Sequence, residues 1–345
     1  MKSTPPSQPE DGVVILLSHG GGGMRTRRLI EEMLQPILSN PVLDRLDDGA
    51  CVPSPGEQLV LTTDSYVVDP PFFPGGDIGR LAACGTVNDL AMQAAEPKYL
   101  TLALILEEGL PLRDLQRAMR SFGEALRETG ACVVTGDTKV VERGKGGGIF
   151  INTAGLGVRR HAADGSAASA RPGDAILLTG TVGDHGMAVM TRREGLRMDA
   201  EILSDVAPLW SMVRTLLDDG LPLHALRDPT RGGLTAALCD IAAASRACLR
   251  VRERSIPVRP PVRAACSLLG LDPLNVANEG KAVITLPADR ADRALALLRG
   301  HPLGRDAALI GQVDPGPAGA ALLETPIGGL RRLSIPLGEE LPRIC

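Results

Sequence analysis

The sequence predicts two α+β domains followed by a short tail, and three observations carry that expectation. Its 345 residues suffice for two cores. Stretches with strand and helix patterning alternate in two halves of similar size, split at 161–173 by a segment rich in Ala, Ser and Gly with Pro172. Neither G-x-G-x-x-G nor G-x-x-x-x-G-K-[ST] stands at a strand-to-helix junction, which removes a doubly wound nucleotide fold. The expected organisation is a disordered leader over 1–11, an N-terminal domain over 12–165, a C-terminal domain over 172–335, and a mobile tail over 336–345.

Taken in order, Val13 to Leu17 is an apolar run of strand length. A helix over about 24–39 follows, with Leu29, Ile30, Met33, Leu34, Ile37 and Leu38 at helical spacing. Leu59 to Val68 reads as a strand, stopped by Pro70-Pro71. A helix is expected over 78–95 despite Gly85, and a strand over 99–106. Leu115, Met119, Phe122 and Leu126 share one face of a helix over 112–128. A strand over 131–135 leads into a loop, Gly136-Asp137-Thr138-Lys139, and 149–158 is another strand. The second half gives strands at 175–179, 248–251, 281–286 and 309–313. Its helices are expected at 186–194, 203–217, 232–243 and 291–298.

Composition narrows the function classes. Hydrophobic residues make up 44% and charged residues 23%, the profile of a globular chain. A net charge of −4 gives no electrostatic case for nucleic acid or an acidic membrane surface. No apolar run approaches the roughly 20 residues that span a bilayer, and the polar, Pro-rich start has no signal-peptide core. A cytoplasmic protein is the expectation, with its seven Cys reduced. None forms C-x-x-C or has zinc spacing. Most sit among Ala and Leu, like small hydrophobes; Cys345, ending Leu341-Pro342-Arg343-Ile344-Cys345, does not.

Candidate chemistry gathers in the first half. The run Gly20–Gly23 between a strand and a helix suits phosphate approach, with His19 beside it; Gly21, Gly22 and Gly23 are the candidate contacts. Asp64, Asp89 and Asp137 are acids in or beside apolar elements, where a carboxylate is costly unless paired or metal-bound. Hard oxygens suit Mg²⁺ bridging to phosphates, so these three are the candidate metal ligands. Lys139 lies two residues after Asp137, on the same face if the segment is extended. Asp228-Pro229-Thr230-Arg231 opens a helix, where Asp228 or Thr230 could cap. Glu279 immediately precedes an apolar strand and could act as a base.

Together these pieces resemble the HypE family of hydrogenase-maturation factors, in the ATP-binding superfamily of aminoimidazole ribonucleotide synthetase and selenophosphate synthetase. The likeness rests on His19-Gly20, Thr63-Asp64-Ser65, Phe72-Phe73-Pro74-Gly75-Gly76, Asn88-Asp89 and Gly136-Asp137-Thr138-Lys139. It continues through Phe150-Ile151-Asn152, Gly183-Asp184-His185-Gly186, Thr230-Arg231-Gly232-Gly233, Asn278-Glu279-Gly280-Lys281 and the terminal Pro342-Arg343-Ile344-Cys345. Arg80 stands where some members have Lys.

The resemblance implies a β-rich N-terminal ATP-binding domain that dimerises, with the ATP site near that interface, and a flexible tail. It implies Asn88, Thr138 and Asn152 among the nucleotide contacts, and Lys139 with Glu279 as the catalytic pair beside Cys345. The implied reaction begins with carbamoyl transfer to Cys345 from HypF. ATP-dependent dehydration then gives a thiocyanate, the source of cyanide for [NiFe]-hydrogenase iron on HypC–HypD. Two other readings stand beside it. One is an amide- or selenium-activating relative, which would be indifferent to loss of Cys345. The other is a scaffold whose tail only docks a partner.

Overall fold

The computed structural model describes residues 13–21, 23–46, 49–163, 165–196, 198–335, 341, 343 and 344. The expectations for 1–11 and Gly22, and that of a mobile tail at 336–340, Pro342 and Cys345, lie outside the described residues. Among the described residues no helix is long and apolar enough to cross a membrane.

The chain enters through α1 (Met24–Arg28), a π-helical stretch Leu29–Leu34, and α2 (Gln35–Leu38). The expected first strand is absent: Val14 makes only an isolated bridge to Pro111, and Leu17–His19 closes into a 3-10 turn. Next come β1 (Leu59–Tyr66), the short hairpin β2 (Phe72–Phe73) and β3 (Gly76–Asp77), and α3 (Ile78–Met92). Then follow β4 (Ala95–Glu107), α4 (Leu112–Thr129), β5 (Cys132–Val141) and β6 (Ile149–Arg159). Gly136–Lys139, expected as a loop, continues β5. At the edge of its sheet, β5 needs a partner on one side only, which β4 supplies in parallel.

The N-terminal sheet runs β1-β6-β4-β5. Its inner face, with Leu100, Leu102, Leu104 and Leu106, is buried under helices. α3 is buried on nearly every side, packed on β1 and β6 and against α4. Gly85 sits inside α3 because a Cβ there would stand 2.4 Å from Tyr66 Oη. Among the described residues the outer face carries no helix, and Leu59, Leu61 and Ile105 stand exposed on it.

The C-terminal half contains β7 (Asp174–Leu178), α5 (Asp184–Arg193), α6 (Trp210–Asp218), β8 (Ala225–Arg227), α7 (Gly233–Ser245) and β9 (Cys248–Arg252). It continues with α8 (Pro260–Leu269), β10 (Val283–Pro287), α9 (Ala291–Gly300), β11 (Ala308–Asp314), β12 (Ala321–Glu324) and β13 (Leu330–Arg332). Its sheet runs β13-β12-β9-β11-β7-β10-β8. The helix expected over 203–217 begins only at Trp210. The preceding extended stretch lies against the N-terminal domain, where Ser204 N donates to Pro74 O at 2.8 Å. One apolar core runs from α3 and α4 through Leu209, Trp210 and Leu216 to Ile284, so the two halves are welded rather than merely linked.

Candidate active site

Four acids converge where the halves meet. Along β1 the inward side chains are Val60, Thr62, Asp64 and Tyr66, as pleating dictates. Thr62 Oγ1 donates to Asp89 Oδ2 on α3 at 2.7 Å, placing Asp89 beside Asp64. Asp228 follows β8. It is not spent as a cap, because Gly232 stands at the N-cap of α7 and, among the described residues, no side chain caps it. Glu279 precedes β10 and is buried, and among the described residues its Oε1 has no hydrogen-bond partner.

Their charges crowd one another. Burial pushes Glu279 well above the usual carboxylate range, and Asp228, Asp205, Asp64 and Asp89 push it further. Asp228 is pushed up to about 7, first by burial and then by Asp89 and Asp64. Burial also raises Asp89; Asp64 adds to this and the Thr62 hydrogen bond opposes it. Arg231 Nη2 reaches Asp64 Oδ1 at 3.7 Å. Beside the basin, burial opposes ionisation of Asp205, but Lys281 and His185 hold it below its ordinary value. Lys281 Nζ lies 3.2 Å from Asp205 Oδ2, so its charge is already matched.

The structure separates residues that the sequence grouped. Asp137 falls outside the basin. Its cross-sheet row is Ala103, Asn152 and Ser65, on the helix-free face opposite Asp64. Three strand steps of roughly 4.8 Å put it about 14 Å from β1. The reason is the pleat: β5 is extended there, so its odd-numbered residues turn outward. Lys139 shares that face, 3.5 Å from Asp137, and does not meet Glu279 within one chain. Asn88 is not free for a nucleotide. Its amide donates to Ala207 O and Glu279 O, both at 3.1 Å, and its oxygen accepts from Leu209 N at 2.8 Å. Asn152 donates to Asp64 O and Ser65 Oγ, both at 2.9 Å. Arg80 grips Glu128 with both terminal nitrogens and Val206 O with Nε, a structural tie between the halves.

A second region collects the remaining candidates. A cavity of about 660 Å³ opens between β5 and the N-terminal helices. Leu34, Leu38 and Val134 wall it, and Gly20, Asp137 and Lys139 reach its lining. Thr138 is buried, and its N–H donates to Asp137 Oδ1 at 2.8 Å. Gly20 is glycine by necessity, since a Cβ would lie 2.3 Å from Val140 N; Gly21 and Gly23 face open space. His19 Nδ1 accepts from Leu16 N at 2.9 Å, so this nitrogen caps the turn.

The tail is seated. Ile344 is 2% exposed and joins the core, and its carbonyl lies 2.9 Å from His185 Nε2. Arg343 O accepts from Asp69 N at 3.1 Å and from Arg193 Nη2 at 2.7 Å.

The basin's chemistry fits a divalent cation, because repelling hard oxygens with one orphaned atom are what such an ion relieves. Among the described residues no three His, Cys, Asp or Glu side chains already form a metal cage. One or two carboxylates with phosphate oxygens is the usual Mg²⁺ arrangement. Sequence reasoning named Asp228 only as a possible cap. No local signal marked it further, because β8 before it is too short for a period to show.

The families described as AIR synthase related protein, N-terminal domain and C-terminal domain, match residues 46–159 and 171–324. The "Carbamoyl dehydratase HypE" of Azotobacter vinelandii is 51% identical over 327 residues, covering 95% of this chain and 96% of that relative. That of Escherichia coli strain K12 is 45% identical over 339 residues, covering 96% of this chain and 99% of that one. A crystal structure of the hydrogenase maturation protein HypE in complex with ATP superposes with a TM-score of 0.92 at 48% identity, covering 96% of this chain and 99% of that one. A HypE–HypF complex gives 0.78 at 44%, covering 89% and 99%. The chain therefore belongs to the HypE family of carbamoyl dehydratases, on the two-domain AIR synthase related fold.

Proposed function

We propose that this protein is an ATP-dependent carbamoyl dehydratase whose substrate is its own Cys345 once carbamoylated, converting S–C(=O)–NH₂ to S–C≡N with ATP going to ADP and phosphate. The observation that carries this reading is the buried Ile344. The residue immediately before Cys345 is held in the cleft between the halves, beside the segment that holds Glu279.

An amide oxygen is a poor leaving group, and phosphorylation makes it a good one. The apolar cavity beside β5 suits the nucleotide base, with Gly20, Gly21, Gly23 and Thr138 toward the phosphates. Asp64, Asp89 and Asp228 would hold Mg²⁺, which when bound neutralises charge on the phosphates. Glu279, buried and basic once ionised, takes a proton from the carbamoyl nitrogen as phosphate departs. Asn88 fixes the Glu279 backbone and so positions the base. Lys139, exposed on the helix-free face, acts from a second copy of the chain. Leu59, Leu61 and Ile105, exposed on that face, support a homodimer formed there. The partners are HypF, which loads Cys345, and HypC–HypD, which receives the cyano group, in the cytoplasm.

The test is mass spectrometry of the full chain after incubation with HypF, carbamoyl phosphate and Mg²⁺-ATP. Cys345 is expected to gain a carbamoyl group and then lose water, and Cys345→Ser to gain neither. A carbamoyl adduct that persists unchanged in Mg²⁺-ATP would overturn the dehydratase reading.

A further inference from the structure

Three donors converge on two consecutive tail carbonyls. Arg193 Nη2 and Asp69 N both donate to Arg343 O, at 2.7 and 3.1 Å. Arg193 Nε also donates to Asp69 O at 2.7 Å, so one guanidinium joins the stretch after β1 to the tail. His185 Nε2 faces Ile344 O at 2.9 Å.

The His185 tautomer follows from the carbonyl it meets. Ser204 Oγ accepts from Val206 N at 3.2 Å and lies 2.8 Å from His185 Nδ1. Ile344 O can only accept, so the ring proton stands on Nε2, and Nδ1 takes the Ser204 hydroxyl proton. Phe73 meets the ring edge-on at 5.3 Å, and the ring is fully buried. Gly75 permits this closeness, since a Cβ there would lie 2.7 Å from Ser204 N. The donors come from both halves: Asp69 from the N-terminal domain, His185 and Arg193 from α5.

We infer that His185 and Arg193 form a main-chain latch that sets the register of the tail, making both of them positioning residues for the dehydration of Cys345. This rests on the proposed reaction. The latch reads peptide carbonyls, so it specifies where the tail sits rather than which side chain residue 343 carries. A carbonyl fixed at residue 344 puts the next Cα about 3.8 Å away from that of Ile344, and so fixes the thiol's starting point. Seating favours the ATP-dependent step; release favours loading by the carbamoyltransferase.

The experiment is timed maleimide alkylation of the folded full chain without ATP, read peptide by peptide, with exposed Cys51 as internal reference. In the parent chain Cys345 is expected to react more slowly than Cys51. Arg193→Gln and His185→Ala are expected to speed Cys345 alkylation by at least about fivefold, the scale of one lost hydrogen bond, with Cys51 unchanged. His185→Gln, which keeps an N–H near the Nε2 position, is expected to restore the slow rate. The carbamoylated Arg193→Gln chain should dehydrate more slowly in a single turnover yet accept carbamoyl at least as fast. Unchanged alkylation in Arg193→Gln overturns the latch, as does His185→Gln reacting as fast as His185→Ala. Should His185→Ala fail to fold, Arg193→Gln decides alone. Alkylation needs neither ATP nor carbamoyl, so failure of the latch and failure of the dehydratase reading give separate results.

Discussion

Replacing Asp228 with Asn removes one acid from a basin that four share. Folding holds the Asp228 proton up to about pH 7, while an unfolded Asp gives it up near about 4. The stability this proton supplies is present below about pH 4 and is lost as pH rises to about 7. Asp228→Asn is therefore expected to raise Tm at pH 8 in chelator and to leave it unchanged near pH 4. Each kcal/mol relieved is worth roughly 2–4 °C for domains of 150–250 residues. Mg²⁺-ATP turnover should fall by at least about 100-fold in the same variant, measured as phosphate release. Asn88→Ala orphans Leu209 N, Ala207 O and Glu279 O together. A loss of about 2–4 kcal/mol is expected in urea titration, because each buried group left unpaired is costly. At this scale the sequence announced Asp64, Asp89 and Glu279 by their placement in apolar surroundings. It could not announce that Asn88 is consumed by backbone groups on another element, since those partners are more than 100 positions away.

Elements with a strong stripe were legible: α4 buries Leu115, Met119, Phe122 and Leu126 as their spacing implies. β5 was misread because Gly136 and Asp137 look like a turn, and at a sheet edge the outward positions tolerate them. That single difference moved Asp137 from the acidic basin to the opposite face. The glycines of α3 mark helix packing rather than weakness: a Cβ on Gly79 would stand 1.8 Å from Ala118 O on α4. Gly79→Ala must push the two helices apart and is expected to cost about 1–3 kcal/mol or more, visible as a lower midpoint with unchanged far-ultraviolet dichroism. β8, β12 and β13 went unread, being too short for a period to show.

At the scale of the whole molecule, the two halves share a core, and the helix-free face of the N-terminal sheet stays open. If Lys139 serves the basin of a second copy, Lys139→Ala and Glu279→Gln chains should each be inactive alone. Mixed after dissociation and reassembly, half the dimers would carry one intact site, so the mixture should recover up to about one quarter of parental turnover. No recovery would put both residues in one chain's site or remove the dimer. The fold class was legible because alternation and the break near residue 165 follow from local patterning, whereas the way α3 locks into 207–209 is long-range and follows from none. The seated tail has a further consequence. A reactant fastened to its own catalyst meets the site at a local concentration fixed by chain geometry, not by dilution. The dehydration step should then be first order, with a rate constant indifferent to protein concentration. Free carbamoyl thiols added in solution should barely compete.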